Sequence, residues 1–157
     1  MLELGRAGTQ GAGRGVLPVL SDGRVVATLQ ASNWKEAATA DVGDRSWVFT
    51  RSGRELTGRE AADPEGTARL SARQTSFWKA NWAVDLEGTQ VEMTNASMWK
   101  GSHRYAVAGR QVAASGASGW LRRPTLEAGP ELSLDQQVFL LWVELVLGRR
   151  AAAGAAA

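Results

Sequence analysis

"LSLDQQVFLLWVELVLGRR", residues 132–150, decides how the rest of the chain is read. From Val138 to Leu147 only Glu144 is polar. Ser133 with Gln136 three residues later matches a capping box, and Gly148 suits the position just past a helix end. The spacing therefore predicts a helix over about 133–148. Its body is roughly 21 Å long at 1.5 Å per residue, and its apolar part is about ten residues, whereas crossing a bilayer takes about twenty. Glu144 adds a further penalty within lipid. A helix lying on a protein surface would show one polar face. Here the apolar side chains point in every direction, the pattern of a helix buried all round.

The sheath for such a helix is written in a repeat. Trp34, Trp78, Trp99 and Trp120 recur with a period near 21 residues, the first gap spanning two periods about Leu56. Gly43, Gly66, Gly88, Gly109 and Gly129 keep step, and Gly23 begins the series. Within "FWKANWAVDLEG" (77–88), Trp78, Ala80, Trp82, Val84 and Leu86 alternate with Lys79, Asn81, Ala83 and Asp85. That period of two is a half-buried strand. Asp22-Gly23 and Glu87-Gly88 fit tight hairpin turns that need positive φ. Each unit reads as two antiparallel strands, giving ten to twelve strands between about residues 16 and 128.

A meander of that length leaves two raw edges unless it closes into a barrel. With about twelve strands the lumen is too wide for wall side chains alone to fill. The expected fold is mainly β, a closed antiparallel β-barrel of about twelve strands around the buried apolar C-terminal helix. One domain is expected over 16–150, between flexible tails at 1–15 and 151–157.

The chain has 157 residues and is 44% hydrophobic, enough apolar material for one core of this kind. A formal charge of +2 argues against nucleic acid as the partner, since phosphate neutralisation would demand more. Arginine dominates the 18 basic residues and lysine contributes only Lys35, Lys79 and Lys100, a bias that reads as a GC-rich bacterial genome. There is no cysteine, hence no disulfide, thiolate nucleophile or Cys-bound zinc. The opening "MLELGRAGTQGAGRG" has no apolar signal core, so the expected location is cytoplasmic.

Glycine-punctuated two-strand units with Trp at their starts, followed by an apolar helix, resemble the Tubby C-terminal-like superfamily, which includes the LURP-one-related and phospholipid-scramblase-like proteins. "GDRSWVF" (43–49), "GWLRR" (119–123) and "LLWVELVLGRR" (140–150) carry the resemblance, which covers about residues 16–150. It implies a closed twelve-stranded barrel around a hydrophobic helix. It also implies lipid-related work: eukaryotic Tubby-like members bind phosphoinositide headgroups, and scramblase-like members associate with membranes. Their basic lipid-binding residues match no residue here one for one, so none is carried over.

Each lysine directly follows a repeat Trp, and Arg122 and Arg123 take nearly the same place in the last unit. If the units are equivalent, Lys35, Lys79, Lys100, Arg122 and Arg123 gather at one end as a rim for anionic headgroups or an acidic partner. The plainer reading makes each the outward face beside a buried Trp. The tryptophans themselves are expected to pack in the core against the helix. His103, the only histidine, shares the Tyr105 face and is expected to be a hydrogen-bonded core residue. Glu144 needs a partner if buried, whether an inward Arg or a Trp indole, or it lies near enough to the helix end to reach water. His103 and Glu144 together mark the candidate buried polar site.

No metal set, cofactor motif or catalytic constellation is expected. "GAGRG" (11–15) lacks the Lys-Ser/Thr ending of a phosphate loop. The leading functional expectation is a non-enzymatic binding module for anionic phospholipid headgroups, peripheral at the inner face of the membrane. Two alternatives stand: a protein-interaction barrel without a small ligand, and a lipocalin-like carrier of an apolar molecule.

Overall fold

The computed structural model describes residues 1–76, 78, 81–97 and 101–156, with the side chains of Ala155 and Ala156 excepted. Twelve strands run in chain order. They are β1 (Leu2–Leu4), β2 (Leu17–Ser21), β3 (Arg24–Ala31), β4 (Ala37–Val42), β5 (Arg45–Ser52) and β6 (Glu55–Glu60). The second half comprises β7 (Leu70–Ser76), β8 (Asn81–Leu86), β9 (Thr89–Ser97), β10 (Ser102–Val107), β11 (Arg110–Ser118) and β12 (Arg123–Ala128). Helix α1 (Leu134–Ala156) follows. Each strand pairs antiparallel with its neighbours in sequence, and β1 closes the ring against β12 through Leu2↔Leu126. No raw edge is left.

The segment expected as an N-terminal tail thus supplies the closing strand. Leu2 and Leu4 alternate with Glu3 and are buried, which is why three residues suffice to hold β1 in place. Elsewhere the period-two pattern sets the faces: Trp82, Val84 and Leu86 point inward from β8, as do Trp47 and Phe49 from β5. Asp22-Gly23, Glu87-Gly88 and Ala108-Gly109 all have positive φ, the geometry that matches a two-residue turn to the twist of its strands.

Helix α1 lies inside this ring. Val138, Phe139, Leu140, Leu141, Trp142 and Val143 cover every direction around its axis and are essentially inaccessible. Its polar side chains reach walls on different sides: Asp135 meets β5, Gln136 the end of β8, and Glu144 β10. The capping box is present, with Gln136 N–H donating to Ser133 Oγ at 3.2 Å and Ser133 N–H to Gln136 Oε1 at 3.0 Å. The lumen that a lipocalin-like carrier requires is occupied by this helix. Gly148 does not end it. Arg149 donates to the Ser32 carbonyl and Arg150 to Glu36, and the alanines beyond are strong helix formers, so the helix continues through the segment expected as a tail. Among the described residues no helix is long and apolar enough to cross a membrane.

In an up-and-down ring the connections alternate between ends. Those after even-numbered strands lie at the end where α1 enters. Those after odd-numbered strands lie where it emerges, beside Ser32 and Glu36. Trp34, Trp78 and Trp120 belong to the second set, which corrects the expectation that they fill the core. Trp34, Trp78 and Trp120 are 95%, 93% and 94% exposed, while Trp99 lies outside the described residues. The alternation from Trp78 predicts a strand at that residue, whereas Trp78 lies in a turn and β8 spans Asn81–Leu86. Among the described residues the tryptophans of the core are Trp47, Trp82 and Trp142.

Candidate functional site

Two polar arrangements stand out, one inside the barrel and one at its mouth. The inner one contains the two residues marked from sequence. Ladder irregularities flank His103 and Tyr105, where β10 shifts register against β9 at Ser102/His103 and against β11 at Tyr105/Ala106. Such bulges re-aim side chains, and here both residues turn inward. His103 Nδ1 lies 2.9 and 3.0 Å from the two Glu144 carboxylate oxygens, and Tyr105 Oη donates to Oε1 at 2.6 Å. With a proton on Nδ1, His103 donates to the carboxylate. The backbone N–H of His103 donates to Ser115 Oγ at 2.8 Å, fixing β10 to β11 at this height. Burial first, and the Glu144 charge second, push the Tyr105 hydroxyl well above its ordinary range. The partner of Glu144 is thus a His–Tyr pair, neither an arginine nor an indole. The indole partnership belongs to Asp135, whose Oδ2 accepts from Trp47 Nε1 at 2.6 Å.

His103, Tyr105 and Glu144 are buried and bond to one another, which makes the node a positioning device for α1. Among the described residues no three His, Asp or Glu side chains gather closely enough to share one metal ion.

The outer arrangement is a cleft of about 840 Å³ at the mouth where α1 emerges. Arg51, Arg54, Arg73, Gln74, Trp82 and Arg150 line it. Arg51 continues the inward face of Trp47 and Phe49 to the rim, Arg54 sits in the β5–β6 turn, and Arg73 comes from β7. Glu36 clamps two of these cations. It accepts from Arg150 Nε and Nη2 at 2.5 and 2.6 Å and from Arg51 Nη1 at 3.4 Å. The Arg150 hydrogen bonds hold the Glu36 carboxyl below its usual range, against an opposing push from burial. Arg54 and Arg73 form no ion pair among the described residues, although Glu55 faces Arg73 across the β6–β7 ladder. Four arginines therefore face one cleft with a single carboxylate engaged.

At the opposite end a smaller cleft of about 370 Å³ contains Arg69 beside Asp85 and Glu87. Arg69 is already taken by Asp63 at 2.8 Å and Glu60 at 3.1 Å. Its charge is spent internally, so the arginine-lined mouth is the better candidate.

The rim expected from sequence is only partly brought together. Lys35 is exposed in the β3–β4 connection and Arg122 in the β11–β12 connection, both at the mouth. Arg123 is turned to the wall, where its guanidinium lies 3.3 Å from Glu3, itself held by Ser118 at 2.8 Å. Lys79 and Lys100 lie outside the described residues. The cleft arginines escaped sequence reading because no motif joins them; "RSGR" (51–54) is the one local hint, two cations flanking a turn. Comparison of the chain with known protein families, with curated proteins and with solved structures finds no match.

Proposed function

We propose that the protein is a Tubby-like, non-enzymatic binding barrel that holds anionic phospholipid headgroups at a membrane surface, using the mouth where α1 emerges. The observation that carries this reading is the pair Arg54 and Arg73, which face the cleft without an ion-pair partner among the described residues, beside Arg51 and Arg150. A guanidinium offers five N–H donors in a planar fork suited to phosphate, and only part of that capacity is used by Glu36. Lys35 and Arg122 extend the positive field at the same end. Cations close to an anionic surface contribute about 1 kcal/mol each.

Co-sedimentation with vesicles of phosphatidylcholine and phosphatidylglycerol tests the reading. Binding is expected at low salt, and the Arg54→Gln/Arg73→Gln double variant is expected to lose roughly 30-fold in affinity, two cations' worth. Equal binding by that variant would overturn it.

A further inference from the structure

We infer that Trp34, Trp78 and Trp120 form a tripod that enters the interfacial layer of a lipid bilayer and sets the barrel upright on it. The inference extends the headgroup reading from what is bound to how the molecule stands.

All exposed aromatic side chains among the described residues belong to these three positions. They occupy the β3–β4, β7–β8 and β11–β12 connections, and therefore one end of the barrel. In the ring order each is four strands from the next, and twelve strands divide into three equal arcs. With strands about 4.8 Å apart, roughly 19 Å of wall separates successive tryptophans. That spacing bears on the partner. Protein hot spots cluster at the centre of an interface, in pockets that exclude water together. Three rings this far apart cannot share one such pocket, but three points define a plane, and a bilayer surface is planar.

The flanking chemistry agrees. Tryptophan favours the headgroup level, where its body is in apolar surroundings and its N–H stays wet. Lys35 follows Trp34, and exposed Leu121 and Arg122 follow Trp120, giving these two tips an apolar and a cationic part. At least one tip is held in place. Ser32 Oγ accepts the backbone N–H groups of Trp34 and Lys35 at 3.2 and 3.1 Å, and Arg149 on α1 donates to the Ser32 carbonyl at 2.9 Å. The arginine cleft opens at the same end, so a headgroup taken there and the inserted rings face one plane.

The test is fluorescence of the full chain with vesicles of phosphatidylcholine brominated in the acyl chains, mixed with phosphatidylglycerol, at low and high salt. Trp47, Trp82 and Trp142 are buried and beyond the reach of bromine. A blue shift and quenching that persist at high salt are expected. Each single Trp→Ala change is expected to weaken partitioning roughly tenfold, and the triple variant to lose most of the quenching. Vesicle binding by the wild-type chain without quenching would overturn the tripod and leave headgroup binding standing. Quenching at low salt that is indifferent to Arg54→Gln/Arg73→Gln would do the reverse. Self-association lost in the triple variant, with no quenching by lipid, would assign the face to a second copy and overturn the inference. The single variants, each read in a Trp99→Phe background, decide the matter even if the triple variant fails to fold.

Discussion

Tyr105 and Glu144, 39 residues apart in the chain, meet through a buried hydrogen bond of 2.6 Å that ties the barrel wall to the helix within it. Glu144 also receives His103, so truncating it strands two donors at once. Glu144→Ala is expected to cost about 3 kcal/mol, and Glu144→Gln, which can still accept, about half as much. Urea unfolding of the two variants measures both.

The Tyr105 hydroxyl titrates higher in the folded protein than in the unfolded chain, through burial first and the Glu144 charge second. Its contribution to stability is complete below the ordinary tyrosine value of 10.0 and shrinks as pH rises above it, because the unfolded chain then ionises first. Tyr105→Phe should flatten the alkaline limb of the stability profile.

Glu36 gives the opposite limb. Its folded carboxyl titrates below the reference 4.5, chiefly through hydrogen bonds from Arg150. That contribution is present above pH 4.5 and is lost as pH falls through the lower folded value. Glu36→Gln should reduce the acid sensitivity of stability, read as Tm between pH 6 and pH 3, with the effect moderated by partial exposure to solvent.

Gly58 in β6 marks where the wall is tightest. A methyl group there would sit 3.0 Å from the Phe49 ring and 3.3 Å from Leu70. Phe49 is itself wedged between Phe139 and Trp142, each with its ring centre 5.4 Å away. Gly58→Ala is expected to cost about 1–3 kcal/mol by overpacking, and Phe139→Ala about 3–5 kcal/mol by leaving a cavity. Chemical denaturation distinguishes both from surface substitutions, which should be nearly silent.

Removing residues 132–150 takes away the filler of the barrel. The expected outcome is loss of the folded β signal in circular dichroism and rapid proteolysis. A barrel that stayed folded without α1 would contradict the packing described.

The architecture was legible wherever a local rule was sufficient. Ser133 and Gln136 announced the helix start, the apolar run from Val138 announced its burial, and Trp82, Val84 and Leu86 announced a strand face. The helix end was misread because Gly148 is outweighed by Arg149 and Arg150 gripping the β3–β4 connection, a contact spanning 117 and 114 residues. Trp34, Trp78 and Trp120 stand outside the core, since a period near 21 fixes the equivalence of a series and not its phase within the hairpin. The candidate site was the least legible part. Arg51, Arg54, Arg73 and Arg150 become neighbours only through strand register and the exit of the helix, neither of which leaves a trace in local sequence.

Closure of the ring by β1 and β12 has a consequence for how the molecule is made. The filler follows all twelve strands in the chain, so during synthesis the sheet emerges before anything exists to occupy its inner face. Until α1 is made, the apolar inner face of the strands has no filler to cover it. Leu2↔Leu126 pairing closes the ring across almost the whole chain. Contacts of such long range make folding slow and expose the half-made sheet to aggregation.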